Sequence, residues 1–146
     1  MTRPKFDTFN QDWADKVIGR VGKTGIDAYL GLKITSVSAG QIVCEMAVTD
    51  ELITGMGNMH GGCLSALCDH ALGTVMYPVM PEGYWAATTE FKINLTAPVT
   101  GGTCIATADI VSMTKRLAVV RISIENDGRL AAVAQGTCTI VAPRKQ

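Results

Sequence analysis

The chain has 146 residues, 47% of them apolar, and thirteen basic side chains balance thirteen acidic ones for a net charge of zero. That length and apolar content suit one domain with a sizeable core, and the charge balance gives no electrostatic footprint for nucleic acid or an anionic membrane surface. No apolar run approaches the ~18 residues of a transmembrane helix, and Met1 to Trp13 is too polar for a secretory leader, so a cytoplasmic protein without a membrane partner is expected.

In chain order, residues 7 to 20 place Phe9, Trp13, Val17 and Ile18 at helical spacing, with Asp7 or Thr8 as the expected cap. We read residues 1–25 as a helical N-terminal extension of a single domain spanning 1–146. Tyr29 to Val37 is expected to be extended and is followed by Ala39-Gly40, a turn signal. Ile42, Cys44, Met46 and Val48 alternate with Val43, Glu45 and Ala47, so the two segments form a hairpin. Thr49 to Met59 reads as a loop. A helix is predicted from about Gly61 to Tyr77, with apolar residues at 64, 67, 68, 71, 72 and 75, and Pro78 and Pro81 end it.

The remainder reads as strands. Trp85 to Thr96 alternates, with Trp85, Ala87, Thr89, Phe91, Ile93 and Leu95 expected on one face. Thr103–Met113, Leu117–Glu125 and Leu130–Val141 follow, and Asn126-Asp127-Gly128 is a tight-turn sequence between the last two. The pattern predicts an α+β fold. About six antiparallel strands have one face to hide, and one long helix can cover it.

Five cysteines (Cys44, Cys63, Cys68, Cys104, Cys138) form no CxxC pair and sit mostly among apolar neighbours, as reduced thiols of a cytoplasm do. Cys68 falls on the buried stripe of the long helix, which argues against a catalytic thiol. Two histidines and scattered thiols do not make zinc-ligand spacing, so no metal or other cofactor is expected.

Opposite the apolar stripe, the long helix carries Gly62, Ser65, Ala66, Asp69 and Gly73. This face is small and nearly smooth, with one carboxylate on it. Gly61 and Gly62 offer N–H groups at the positive end of the helix. A donor and a carboxylate are the parts needed to polarise a carbonyl and attack it. The plain reading of the same residues is an N-terminal turn followed by a solvated surface carboxylate.

His60-Gly61-Gly62, followed by Leu67 and Asp69, resembles the motif of the PaaI-like hotdog-fold acyl-CoA thioesterases, and the resemblance runs from about Tyr29 to Val141. It implies a curled sheet wrapped around the long helix and hydrolysis of acyl-CoA thioesters to free acid and CoA. It implies that Asp69 is the general base or nucleophile and that the Gly61 N–H polarises the thioester carbonyl. The family usually has Asn or Gln six residues before the His; this chain has Thr54 there, and Asn58 lies close by. Thr88 either matches the family's water-positioning hydroxyl or is a threonine on an exposed strand face. His60 either orients the loop, donates to the thioester or bonds a backbone group. Lys115 and Arg116, between two strands, either meet CoA phosphates or form a charged hairpin turn.

Gly61 and Asp69 are eight residues apart, so about 12 Å separates them along one helix axis. The attacking group must come within about 3–3.5 Å of the polarised carbon. Two antiparallel copies of the helix satisfy both requirements, which predicts a homodimer with shared sites; hotdog thioesterases are similar in this respect and often pair such dimers into tetramers. The competing readings are a hotdog dehydratase or hydratase acting on β-hydroxyacyl thioesters, with His60 and Asp69 as an acid/base pair, and a non-catalytic acyl-CoA-binding module. Aryl-acetyl, other aromatic and aliphatic acyl groups are all compatible with the residues.

Overall fold

A computed structural model describes residues 4–144; the first three residues of the N-terminal extension lie outside the described residues. Helix α1 spans Gln11–Val17 and α2 spans Gly25–Leu30. Strands β1 (Lys33–Ser38) and β2 (Gln41–Ala47) form the first hairpin, and helix α3 spans Gly61–Thr74. Strands β3 (Trp85–Leu95), β4 (Thr103–Met113), β5 (Leu117–Asn126) and β6 (Arg129–Val141) complete the chain. The six strands form one antiparallel sheet in the order β1-β2-β4-β5-β6-β3, so β3 is an edge that pairs with β6. The 14-residue α3 packs on β2, β3, β4, β5 and β6 together, which requires the sheet to curl around it. This is the hotdog arrangement.

Leu64, Leu67, Cys68, Ala71 and Leu72 form the buried stripe of α3, as their spacing predicts. Small residues let the sheet approach this stripe: Ala106, Ala108, Ala118, Ala132 and Ala134 are buried beneath it. Gly136 is the tightest point. A Cβ there would lie 2.6 Å from the Phe91 Cβ, 2.7 Å from the Leu72 Cδ2 and 2.8 Å from the Glu90 carbonyl oxygen. The β5–β6 hairpin closes through Asp127 (φ 51°) and Gly128 (φ 74°), both left-handed as a two-residue type I′ turn requires.

The structure corrects four expectations. Helix α1 begins at Gln11, capped by Asn10 rather than Asp7 or Thr8; the Asn10 side chain accepts from the Trp13 N–H at 2.9 Å. Tyr29 is not extended but lies in α2, which Gly31 terminates in the left-handed conformation (φ 63°). The loop from Thr49 contains a short 3-10 turn, Asp50–Leu52. Helix α3 stops at Thr74, before Tyr77, because Pro78 has no N–H to donate and its ring crowds the Thr74 carbonyl.

The alternation expected along β3 also breaks. Thr88 pairs with Cys138 and Glu90 with Thr137, which leaves Thr89 as an extra residue in a β-bulge. The bulge switches the pleat. Ala86 packs on the core with Phe91 and Ile93, while Trp85 is exposed and Thr89 meets Thr139 at 2.7 Å. Thr88 thereby shares the helix-facing side with Phe91 instead of opposing it.

Candidate active site

The N-terminus of α3 is pinned from both sides before it begins. Met59 N–H donates to the Val99 carbonyl at 2.7 Å, and His60 N–H to the Leu52 carbonyl at 2.9 Å. His60 is the N-cap, and its Nδ1 accepts from the Gly62 N–H at 2.9 Å. An accepting Nδ1 carries no proton, so the ring hydrogen sits on Nε2. The Gly61 N–H, first in the helix, has no intrahelical acceptor and points out with the positive end of the dipole. Gly61 lies against the end of the edge strand, where a Cβ would stand 2.6 Å from the Leu95 Cδ1.

Thr54 and Asn58 divide the work of the loop. Thr54 Oγ1 accepts from the Met56 N–H at 3.2 Å and its own N–H donates to the Asn58 carbonyl at 2.8 Å, so Thr54 builds the turn. Asn58 lines a cavity of about 240 Å³ beside Gly61, while its side-chain amide donates to the Met59 carbonyl at 3.1 Å. Asn58 is therefore brought to Gly61 and Thr54 is not.

Asp69 stands exposed on α3, two turns after the glycines. One turn further on, Gly73 faces β3, and a Cβ there would lie 3.9 Å from the Thr88 Oγ1. The Cys138 thiol, 3.9 Å from that same hydroxyl, is pushed up by burial first and also by the Asp69 charge. Thr88 and Asp69 thus share one neighbourhood, and the bulge in β3 is what places Thr88 there. Asp69 and Gly61 remain separated along the helix.

Lys115 and Arg116 lie in the β4–β5 turn, remote from Gly61 in the same chain. Thr114 Oγ1 accepts from both the Arg116 and Leu117 N–H groups at 3.2 Å and holds the turn closed. Lys115 lines a separate cavity of about 670 Å³ with Val79, Tyr84 and Met113, at the C-terminal end of α3.

Two residues near the carboxylate were not legible in the sequence. His70, directly after Asp69, lies 3.6 Å from the Asp27 carboxylate of α2. Burial lowers the His70 pKa, against the opposing pull of Asp27 and Asp69. The signal was available only through Gly31, whose role as a helix stop makes Thr24 to Gly31 a short capped helix. The thiols are poor nucleophiles at neutral pH: burial pushes Cys44 and Cys68 up to about 12 and Cys104 to about 11. Among the described residues, no helix is long and apolar enough to cross a membrane.

Comparison with known proteins bears on this geometry. The model of the Thioesterase superfamily matches residues 56–133, a span that contains the His60-Gly61-Gly62 turn, α3 and most of the sheet. The human protein acyl-coenzyme A thioesterase 13 is 30% identical over 110 residues, which cover 73% of this chain and 78% of that one. The Escherichia coli acyl-coenzyme A thioesterase PaaI is 33% identical over 98 residues, covering 66% of this chain and 68% of its own. The solved structure of the E. coli PaaI protein, from the phenylacetic acid degradation operon, superposes with a TM-score of 0.76 at 27% identity, over 83% of this chain and 87% of that one. With the fold, the turn and the matched span in agreement, the chain belongs to the thioesterase superfamily and is a PaaI-like hotdog thioesterase.

Proposed function

We propose that the protein hydrolyses acyl-CoA thioesters at sites shared between two copies of the chain. The separation of Gly61 and Asp69 on one helix carries this reading: about 12 Å of helix rise cannot be bridged by one carbonyl. With two α3 helices antiparallel, the Gly61 N–H of one copy holds the thioester oxygen beside the carboxylate of the other. Water activated by Asp69 adds to the carbonyl carbon, or the carboxylate adds directly and water then cleaves the anhydride. The C–S bond breaks, the sulfur leaves as CoA thiolate and takes up a proton, and the acyl group leaves as the free acid.

The other residues have supporting roles in this scheme. His60 is a positioning residue whose Nδ1 holds Gly62 and so aims the Gly61 N–H. With Nδ1 occupied and Nε2 protonated, His60 has no free lone pair to act as the base of a dehydratase. Thr88 orients the water beside Asp69, Asn58 flanks the bound thioester, and Lys115 and Arg116 meet the CoA phosphates. Five free, mostly buried thiols suit a reducing compartment, and we place the enzyme in the cytoplasm.

The direct test is Asp69→Asn, which keeps shape but loses basicity and nucleophilicity. Thiol release from a panel of acyl-CoA esters should fall by ~10²-fold or more in kcat, with KM much less affected. Wild-type kcat in this variant would remove Asp69 from the chemistry.

A further inference from the structure

We propose that Cys138 is a positioning residue for hydrolysis: its sulfur backs the Thr88 hydroxyl as a weak acceptor and leaves the hydroxyl proton to the attacking water. The inference rests on the thioesterase reading above and on Thr88 as the group that orients that water. Cys138 lies on β6 opposite Thr88, at the last pair before the bulge in β3. It is 0% exposed, so its sulfur sits in the core of one chain, behind any surface that a second copy covers. The sulfur stands between two oxygens, the Leu72 carbonyl at 3.6 Å and the Thr88 Oγ1 at 3.9 Å. Leu72 is one of the last four residues of α3, where carbonyls run out of helical partners. The Val75 N–H serves the Ala71 carbonyl and the Tyr77 N–H that of Thr74, and the Cys138 thiol serves that of Leu72.

A thiol has one proton to give. Burial pushes the Cys138 thiol up, against a lowering by Thr88, and the Asp69 charge adds to the rise, so the sulfur keeps that proton at neutral pH. The Leu72 carbonyl is the nearer acceptor, and a buried carbonyl left without a donor costs its full desolvation. The proton therefore goes to Leu72, and the lone pairs of the sulfur face Thr88. Sulfur accepts weakly, so the Thr88 hydroxyl has a bulky atom behind it and still keeps its own proton for other use. An oxygen in the same place would take that proton. Facing hydroxyls bond readily across paired strands, and the neighbouring Thr89 and Thr139 do so at 2.7 Å. A water that Asp69 activates donates one proton to the carboxylate and attacks with one lone pair. Its other lone pair accepts from Thr88, and that bond aims it.

The test substitutes Cys138 in two backgrounds. Wild type, Cys138→Ser and Cys138→Ala are assayed for thiol release from acyl-CoA esters, each with Thr88 intact and with Thr88→Val, which is close in shape and lacks the hydroxyl. Cys138→Ser should lower kcat by about tenfold, the effect of roughly one hydrogen bond, with KM near the wild-type value. Cys138→Ala removes the sulfur without installing a stronger acceptor, so its loss should be smaller, about threefold. In Thr88→Val, itself slowed, neither substitution should lower kcat further, because no hydroxyl remains to be steered. A residue that only secured the end of α3 through Leu72 would behave otherwise: its losses would follow Tm and persist in Thr88→Val. Cys138→Ser at the wild-type kcat, Cys138→Ala as slow as Cys138→Ser, or the same Cys138→Ser loss in Thr88→Val overturns the proposal. A second readout does not depend on the folding of Cys138→Ser. The Cys138 S–H stretch is isolated as the infrared difference between each background and its Cys138→Ala partner. It should keep its hydrogen-bonded frequency in Thr88→Val, since the proton is on the Leu72 side, and a shift to the frequency of a free thiol overturns the assignment. Thr88→Val at the wild-type kcat removes the hydroxyl from the reaction and this role with it, while leaving the thioesterase reading intact. A wild type that releases no thiol from any ester overturns both.

Discussion

The shared site can be tested by complementation between two dead chains. One chain carries Asp69→Asn. The other carries Gly61→Pro, which deletes the N–H at the first helical position. That position tolerates proline well: it is N1, and the preceding His60 already has the extended backbone that a following proline demands (φ −63°, ψ 131°). The added Cβ does meet the Leu95 Cδ1, at 2.6 Å, but that atom is the end of a half-exposed side chain. Gly61→Ala carries the same contact and keeps the N–H, so it is the control for crowding. Loss of one such donor costs ~10²–10³ in kcat, so each parent should retain about 1% of activity or less. Random exchange makes half the dimers mixed, each with one complete site of two, so the equimolar mixture should recover about a quarter of wild-type turnover. Thiol release is followed after subunit exchange, with circular dichroism to show that both variants fold. Native mass spectrometry confirms that heterodimers form. Folded, exchanged heterodimers that stay at the parental level would refute the shared site, as would a fully active monomer in ultracentrifugation.

Replacing Lys115 and Arg116 together by Ala should raise KM for acyl-CoA and leave a short pantetheine thioester nearly unaffected. The difference should shrink at high salt, since exposed charges are screened over ~10 Å at 0.1 M, and equal losses on both substrates would assign the pair to holding the turn. His70 has a lowered pKa, so the unfolded chain protonates it first as pH falls through 6.5, and native stability is lost from there down to the folded value. His70→Gln should flatten the fall of Tm across that window, and parallel curves for the two proteins would show that other groups govern it. Gly136→Ala adds a methyl against Leu72, Phe91 and the Glu90 backbone, so it should destabilise by about 1–3 kcal/mol in denaturant unfolding; a neutral effect would mean that β3 and α3 yield easily there.

The sequence carried the elements whose signals are local. The period of α3 requires a buried stripe, the alternation of β2, β4, β5 and β6 requires a sheet with one hidden face, and Asp127-Gly128 can adopt the paired left-handed conformation of a tight hairpin. The placement of Gly61 at a helix start and of Asp69 on the exposed face of the same helix, two turns on, was legible for the same reason, since both positions belong to one element. Whatever depended on a partner strand or a packed neighbour was decided by the tertiary structure. The run Ala86-Ala87-Thr88-Thr89 fits either face of a pleat, so only pairing with Cys138 and Thr137 puts Thr89 in a bulge and turns Thr88 toward the helix. Helix α2 is six residues long, too short to reveal itself by period, and its contact with His70 exists only because the fold lays it on α3. The cavity at Gly61 is made by residues some forty positions apart, Asn58 at one end and Val99 at the other, and forms only where the end of an edge strand meets the start of a helix.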